Sequence, residues 1–511
     1  MYLDYILASP RSPAMIDFSN LHLYHENNRI EAKQAQGGLP HSIWETYSAF
    51  ANTMGGIILL GVMETEDKSF RSVPLGSPEW LADEFWSKIN DGTHVNTNIL
   101  SRGDIRIEES DGNRIVVIEV PRADRRDKPI FIGSDPYTGS YRRNGEGDYR
   151  CSRDEVDSML RDKAETSPDT QLITELSLTD LNTETVIRYH AAFSALHSKA
   201  ALAQLDFPEF LCQLGAAKKA SDSSYHPTAG GLLMFGHYPD ILRCFPGFSL
   251  RYCEEADPLS PSNNTSDKTT KCKTDTDFAA QSSFNLYEFY TYVCEKFDQI
   301  ASFDTDNELL HQALREALVN ALVHADYRSN SGTGLSITQT ADNLLITNPG
   351  SFRVKVKEAI NGRVSDPRNT ALGTMFGLIL PRGGGRRGLP AILGAWEGQG
   401  WPAPRIREDF DPDRITLVLP INRSHTAPDA LTNTMPIRFA LKNIPFSRSV
   451  REQQIAELLT IRPVCTLDEI CLALHLSKSW VRKLLQRMLD KNLISSDNNR
   501  PDKKKQYRLT I

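Results

Sequence analysis

The chain has little that would staple it, anchor it or mark a familiar nucleotide loop. Its 8 cysteines in 511 residues form no CxxC pair and no metal-ligand spacing. That excludes a zinc ribbon or a disulfide scaffold, and the expectation is a set of free thiols in a reducing compartment. No run of eighteen apolar residues occurs, which excludes a membrane-spanning helix, and no basic segment followed by a long apolar core reads as a signal peptide. A GxxxxGK[ST] phosphate loop is absent, so a P-loop ATPase is disfavoured. These absences point to a cytoplasmic protein with no membrane partner.

What is present is length and patterned hydrophobicity. With 511 residues and a hydrophobic fraction of 40%, the chain is too long for one core, and an α/β multidomain (α+β) architecture of two to four domains is expected. The net charge of −7 argues against a uniformly basic surface but leaves room for one basic module. Four segments emerge: 17–160, 172–300, 301–425 and 449–511.

In 17–160, Ile43, Tyr47, Phe50 and Met54 have helical spacing, Gly55-Gly56 stops that helix, and IILLGV is a short apolar strand. IRIEES and NRIVVIEVP read as a hairpin about Asp111-Gly112, and PIFIG and SYRRNG as further short strands. Ser152 and Glu155 form a capping box that opens a helix. DKAETSPDTQ, 162–171, reads as a linker. Beyond it, 181–220 reads as helices, TAGGLLMFG and FSLRYCEE as strands, and the polar stretch 254–278 as a long loop without structure. Leu310, Leu314 and Leu318 mark an amphipathic helix over 307–324, followed by a hairpin, a glycine-rich segment entering a helix, and a last strand, RITLVLP.

Three groups of residues carry candidate chemistry. Glu26 and Glu31 lie five apart, on opposite faces of a strand or about 140° apart on a helix, so they converge only if the backbone turns at Asn27-Asn28. Glu64 follows a strand and can face the same cleft. Three carboxylates could hold Mg²⁺ or Mn²⁺, which polarise a phosphate and activate water, with Lys33 as a point cation. The alternative is surface acids with Lys33 paired to one of them. Arg142 and Arg143 are phosphate contacts or plain surface charge.

Glu316 and Asn320, four apart, share a helix face and suit water orientation and Mg²⁺ binding beside a γ-phosphate. Gly383, Gly384 and Gly385 would let backbone amides approach phosphates. The alternative is the polar face of a packed helix and a surface loop.

From Val450 to Ile511 there are 12 Lys and Arg against 7 Asp and Glu, a basic end on an acidic chain. Three helical segments and a β-hairpin have the order of a winged helix. Ser477 caps the recognition helix, on which Lys478, Ser479, Arg482, Lys483 and Gln486 can meet phosphates or base edges. Trp480, Val481, Leu484, Leu485 and Met488 form its core side, and Lys503, Lys504 and Lys505 sit in the wing. Dimerisation or domain contact is the alternative use.

Glu26, IEAK at 30–33, ANTMGGIILLGV at 51–62 and YRRNG resemble the Schlafen-type AlbA_2 domain. The resemblance implies metal-binding acids at Glu26, Glu31 and Glu64 and ribonuclease activity on structured or tRNA-like RNA. The third acid is often Asp in the family and is Glu here. REALVNALVHADY at 315–327 and ITNPG at 346–350 resemble the GHKL-type ATPase domain, an α/β sandwich. That resemblance implies ATP binding with Glu316 as base and Asn320 as Mg²⁺ ligand, and it places Asn348 and Gly350 where the family has an adenine-binding DxGxG motif. Together they imply a metal-dependent endoribonuclease, gated by ATP and used in stress or phage defence. The other readings are an ATP-responsive DNA-binding transcriptional regulator and a non-catalytic scaffold. Partners would be RNA or DNA and a second copy of the chain, since one AlbA_2 unit offers half of a two-lobed groove.

Overall fold

A computed structural model describes residues 2–6, 16–255, 272–277, 284–301, 308–380 and 388–421, apart from 222, 330, 331, 333, 363 and 400. It also describes 478–490, 494–496, 506–509 and scattered positions from 455 to 471. The chain divides into two compact units, one of 1–18, 26–63 and 72–422, the other of 19–25, 64–71 and 423–511.

The first unit opens with β1 (Tyr2–Ile6). An α/β segment follows with β2 (Ile30–Lys33), α1 (Ile43–Asn52), β3 (Gly56–Leu60), β4 (Val62–Glu64) and β5 (Phe70–Ser72), of which Glu64, Phe70 and Arg71 are counted with the second unit. It continues through α2 (Pro78–Asn90), β6 (Ile105–Ser110), β7 (Asn113–Val120), α3 (Pro136–Gly139), β8 (Tyr141–Asn144), β9 (Gly147–Arg150) and α4 (Arg153–Lys163). Its main sheet has the order β2-β3-β7-β6, parallel between β2 and β3 and antiparallel elsewhere. The expected hairpin forms with positive φ at Asp111 and Gly112, as a primed turn requires. Gly55 ends α1 at φ +75°, where a Cβ would sit 2.8 Å from the Val120 carbonyl oxygen, so only glycine fits between helix and sheet. Trp44 stacks on Phe85 at 5.3 Å in the core between α1, α2 and the sheet. The Asn52 amide donates to the Ile130 and Tyr141 carbonyls and accepts from the Ile130 N–H, which ties α1 to the chain leading into β8.

Ser152 and Glu155 cap α4 reciprocally, as expected. The stretch after α4 departs from the expected linker. Asp162 pairs with Arg368, and the Ser167 hydroxyl donates to the Arg368 carbonyl. The Asp169 carboxylate accepts the Leu372 N–H at 2.9 Å. Residues 163–166 and Gln171 face solvent, while Asp162, Ser167 and Asp169 serve caps and ion pairs.

Next come α5 (Thr183–Leu196), α6 (Phe207–Gln213), β10 (Ala217–Lys219), β11 (Tyr225–Pro227), α7 (Ala229–Phe235), α8 (Tyr238–Cys244) and β12 (Leu250–Glu255). The segment expected as a strand at 228–236 is α7, capped by the Thr228 hydroxyl, which accepts the Gly231 N–H at 3.0 Å. All seven residues of α7 are buried, and a run apolar on every side carries no period that separates helix from strand. Of the expected loop, 256–271 lies outside the described residues, whereas β13 (Cys272–Asp277) pairs antiparallel with β12.

The remaining elements of this unit are α9 (Leu286–Ala301), α10 (Glu308–His324), β14 (Leu335–Gln339), β15 (Asn343–Pro349), α11 (Val356–Ile360), α12 (Thr370–Ile379), α13 (Leu389–Gln399), β16 (Arg405–Phe410) and β17 (Asp413–Pro420). A seven-stranded sheet has the order β1-β16-β17-β15-β14-β12-β13, with β12 and β14 parallel and the other pairs antiparallel. Alternate residues of its strands, Leu335, Ile337, Leu344, Ile346, Leu417 and Leu419, join the core that also holds Leu310, Leu314, Leu318 and Leu322 of α10. The sheet therefore crosses the expected boundary at 300 and recruits β1 from the start of the chain.

In the second unit β18 (Cys465–Thr466), β20 (Gln506–Leu509) and β19 (Ile494–Ser496) form an antiparallel sheet beside α14 (Lys478–Asp490). Val481, Leu484, Leu485 and Met488 of α14 are buried with Ile455, Leu459, Leu467, Ile470 and Ile494.

Six described cysteines are free, while Cys253 is disulfide-bonded, which corrects the expectation of free thiols throughout. Among the described residues no helix is long and apolar enough to cross a membrane.

Candidate functional site

The sequence Glu-Asn-Asn-Arg turns the chain into β2, with the Arg29 N–H bound to the Asn27 side chain at 2.8 Å. Across this turn the Glu26 carboxylate accepts the Ala32 N–H at 3.1 Å, so Glu26 closes the turn. Glu31 points to two cations. Its Oε1 lies 2.9 Å from Lys33 Nζ and its Oε2 lies 2.8 Å from Arg143 Nη2. Lys33 also donates to the Ser42 hydroxyl at the start of α1.

Arg143 organises this cluster. It is fully buried, stands over the Phe50 ring at 5.2 Å, and donates to the Asn27 carbonyl through Nε and Nη2. Its Nη1 meets Asp148 at 2.9 Å, and the other Asp148 oxygen accepts from the Thr46 hydroxyl at 2.7 Å. Arg143 and Asp148 are register partners across the β8–β9 hairpin. Sequence reasoning missed Asp148, although the Gly-containing turn 144–147 places it opposite Arg143. Arg143 is therefore an interior ion-pair partner and not a surface charge. Arg142 faces the other way on β8 and pairs with Glu155 and, at 3.7 Å, with Asp413.

A divalent cation needs several carboxylate oxygens turned to one point. Among the described residues no group of three or more His, Cys, Asp or Glu side chains converges so. Glu31 is compensated by Lys33 and Arg143, and Glu26 is engaged with a backbone amide. Glu64 ends β4, with a buried Oε1 that has no hydrogen-bond partner. The acids as placed do not fit a Mg²⁺ or Mn²⁺ site, and no step through a metal is derived. The arrangement instead locks β2, α1 and the β8–β9 hairpin together.

The second candidate group is likewise committed to the fold. On α10, the Glu316 carboxylate accepts the Gly388 N–H at 2.7 Å, at the entry to α13. Asn320 lies one turn on and is half-buried. Asn348 is buried near the end of β15 and donates to the Pro349 carbonyl at 3.4 Å. Gly350, at φ +100°, leaves room for the Arg368 guanidinium, whose Nη1 a Cβ would approach to 2.7 Å. Arg368 pairs with Asp162 and donates to the His324 and Ser351 carbonyls. Burial, then the Arg368 and Arg353 charges, push the His324 imidazole down to about 4. Gly384 and Gly385 lie outside the described residues. The residues that are described fill this region with an ion pair, and no ATP step is derived.

The third group keeps its expected polarity. Lys478, Arg482, Lys483, Gln486 and Arg487 are exposed along α14, opposite the buried Val481, Leu484, Leu485 and Met488. Ser477, Lys503, Lys504 and Lys505 lie outside the described residues, as do the side chains of Ser479 and Trp480.

Comparison with known proteins adds two family matches. Residues 157–251 match a domain of unknown function, and residues 26–152 match the Schlafen AlbA_2 family. No curated protein matches the chain. Among solved structures, the DIP2311 protein of Corynebacterium diphtheriae is 16% identical, with 99% of this chain and 82% of that one covered and a TM-score of 0.38. The N-terminal domain of a RecG-related protein from Nitrosomonas europaea is 30% identical over 27% of this chain and 94% of that one, with a TM-score of 0.21. Residues 26–152 of this chain are thus similar to the Schlafen AlbA_2 family.

Proposed function

We propose that this chain is a nucleic-acid-binding protein that docks on duplex DNA through α14, with its AlbA_2 domain in a binding or architectural role and not as a metal nuclease. The observation that carries the proposal is the exposed face of α14. Lys478, Arg482, Lys483 and Arg487 stand on it, while the opposite face is buried against the three-stranded sheet. A rigid helix with a cationic face fits the B-form major groove, which admits an α-helix. The A-form major groove of RNA is too deep and narrow for it. The sheet beside α14 supports a winged-helix reading of this module.

The AlbA_2 match supports a nucleic-acid-related function. The ion pairs at Glu31 support its non-catalytic form, since a carboxylate already holding two cations is poorly disposed to a third.

The test is a mobility-shift titration of the full chain on duplex DNA, double-stranded RNA and single-stranded RNA, comparing wild type with Arg482→Ala/Lys483→Ala. The expected result is preferential duplex-DNA binding that the double variant loses. Equal binding by the variant, a preference for RNA, or Mn²⁺-dependent cleavage of the RNA lost on Glu31→Gln would overturn the reading.

A further inference from the structure

A cleft of about 100 Å³, open to solvent, lies within the first unit. Arg122, Arg125, Lys128 and Arg142 line it from the AlbA_2 domain, and Arg353 and Lys355 from the loop between β15 and α11. None of the residues considered above for metal or ATP lines it.

Four of these cations are already matched, Arg353 among them through its Nη2 to Asp366 at 3.3 Å. Arg122 Nη1 meets both oxygens of the buried Glu408 at 3.0 and 2.9 Å. Arg125 pairs with Asp366, and Arg142 with Glu155. Two donors are left over. Lys128 is 8% exposed, donates to the Asn52 carbonyl, and has no carboxylate within ion-pair distance among the described residues. Arg353 Nε is buried with no hydrogen-bond partner, and its nearest carboxylate oxygen, on Asp162, is 3.9 Å away. An ammonium has three donors, so Lys128 holds unused hydrogen-bonding capacity in a place where water and counter-ions are scarce. A buried charge is tolerated when it is paired, and although Asp124, Glu155, Asp162 and Asp413 also line the cleft, none forms an ion pair with Lys128 among the described residues.

We propose that this cleft binds the phosphate group of a small molecule, with Lys128 as the anchoring cation, Arg353 Nε as a second donor and the exposed Lys355 at the rim. A lysine serves as a point charge for phosphate, and an arginine Nε adds a directed hydrogen bond. The cleft volume suits a phosphate group and not a whole nucleotide. The charged groups facing Lys128 are Arg122 after β7, Glu408 and Asp413 of β16 and β17, and Asp162 of α4. Desolvation first, then Arg122, holds the Lys128 ammonium down to about 7, so at pH 8 an entering phosphate dianion recharges it by drawing a proton from solvent.

The test is calorimetry on the full chain with inorganic phosphate, pyrophosphate and a nucleoside monophosphate, each against chloride at equal ionic strength. At least one of the three should bind, with proton uptake at pH 8 that vanishes near pH 6. Lys128→Met should weaken binding at least about tenfold, and Lys128→Arg should retain it without the proton uptake. Lys355→Ala, at an exposed position, should weaken binding in a protein that melts as wild type does, and it serves if Lys128→Met does not fold. Binding by none of the three, equal effects of chloride, unchanged affinity in both Lys128→Met and Lys355→Ala, or capture of single-stranded oligonucleotides without any small phosphate would overturn the proposal.

Discussion

The Glu31 carboxylate and the Arg143 guanidinium meet at 2.8 Å and join β2 to a hairpin more than a hundred residues further along. Lys33 holds the other Glu31 oxygen, and Asp148 the other side of Arg143. Removal of the carboxylate leaves a fully buried guanidinium short of one partner. Glu31→Ala is expected to destabilise the first unit by about 3 kcal/mol, read from the urea midpoint at constant slope. A variant as stable as wild type would show that the pair is incidental.

Asp162 and Arg368 make a second such pair, between the end of α4 and the segment before α12. Asp162→Ala should cost about 3 kcal/mol, because Arg368 is buried and retains only carbonyl acceptors. In the wild type, limited proteolysis should spare 164–171. Rapid cutting there would return the stretch to a linker.

His324 sets a pH dependence. Its folded value of about 4 lies below the ordinary 6.5, so between these the unfolded chain binds more protons. Stability should therefore be intact above pH 6.5 and fall as pH drops toward 4, by at most about 3 kcal/mol from this group. Denaturant melts at pH 7 and pH 5 should show a smaller difference in His324→Gln than in wild type. An equal difference would assign the effect to other groups.

The capping box of α4 gives a local prediction. Ser152→Ala leaves the Glu155 N–H without its acceptor and should cost about 1 kcal/mol in a thermal or urea melt. No change would mean that water replaces the cap at no cost.

On α14, Arg482 and Lys483 bear on salt dependence. If each neutralises one phosphate, the slope of log affinity against log salt should shrink by about 2 in the double alanine variant. An unchanged slope with weaker binding would point instead to a disturbed module.

Much of the local structure was legible in the sequence. The caps at Ser152 and Glu155, the turn at Asp111-Gly112 and the polarity of α14 depend on residues within a few positions of one another, and side-chain period and turn chemistry report such relations directly. The acids at 26 and 31 were visible too, and Lys33 was rightly foreseen as a possible partner. Their roles were not. Whether a carboxylate is open to a metal or neutralised by a guanidinium depends on what arrives from far along the chain. Here Arg143 arrives from β8 and Asp148 from β9.

The same reason explains the other departures. The residues 162–171 look like solvent-facing linker until Arg368 and α12 stand beside them. The strand β1 has no evident purpose until β16 offers it an edge. Sequence alone determined the local turns, the helix caps and the two faces of α14. Tertiary structure decided which charges are buried, which are paired and which, like Lys128, have a backbone carbonyl in place of an ion-pair partner. Burial and pairing are properties of through-space neighbours, and a buried ion costs or contributes stability according to the nearest opposite charge and not the nearest residue in sequence.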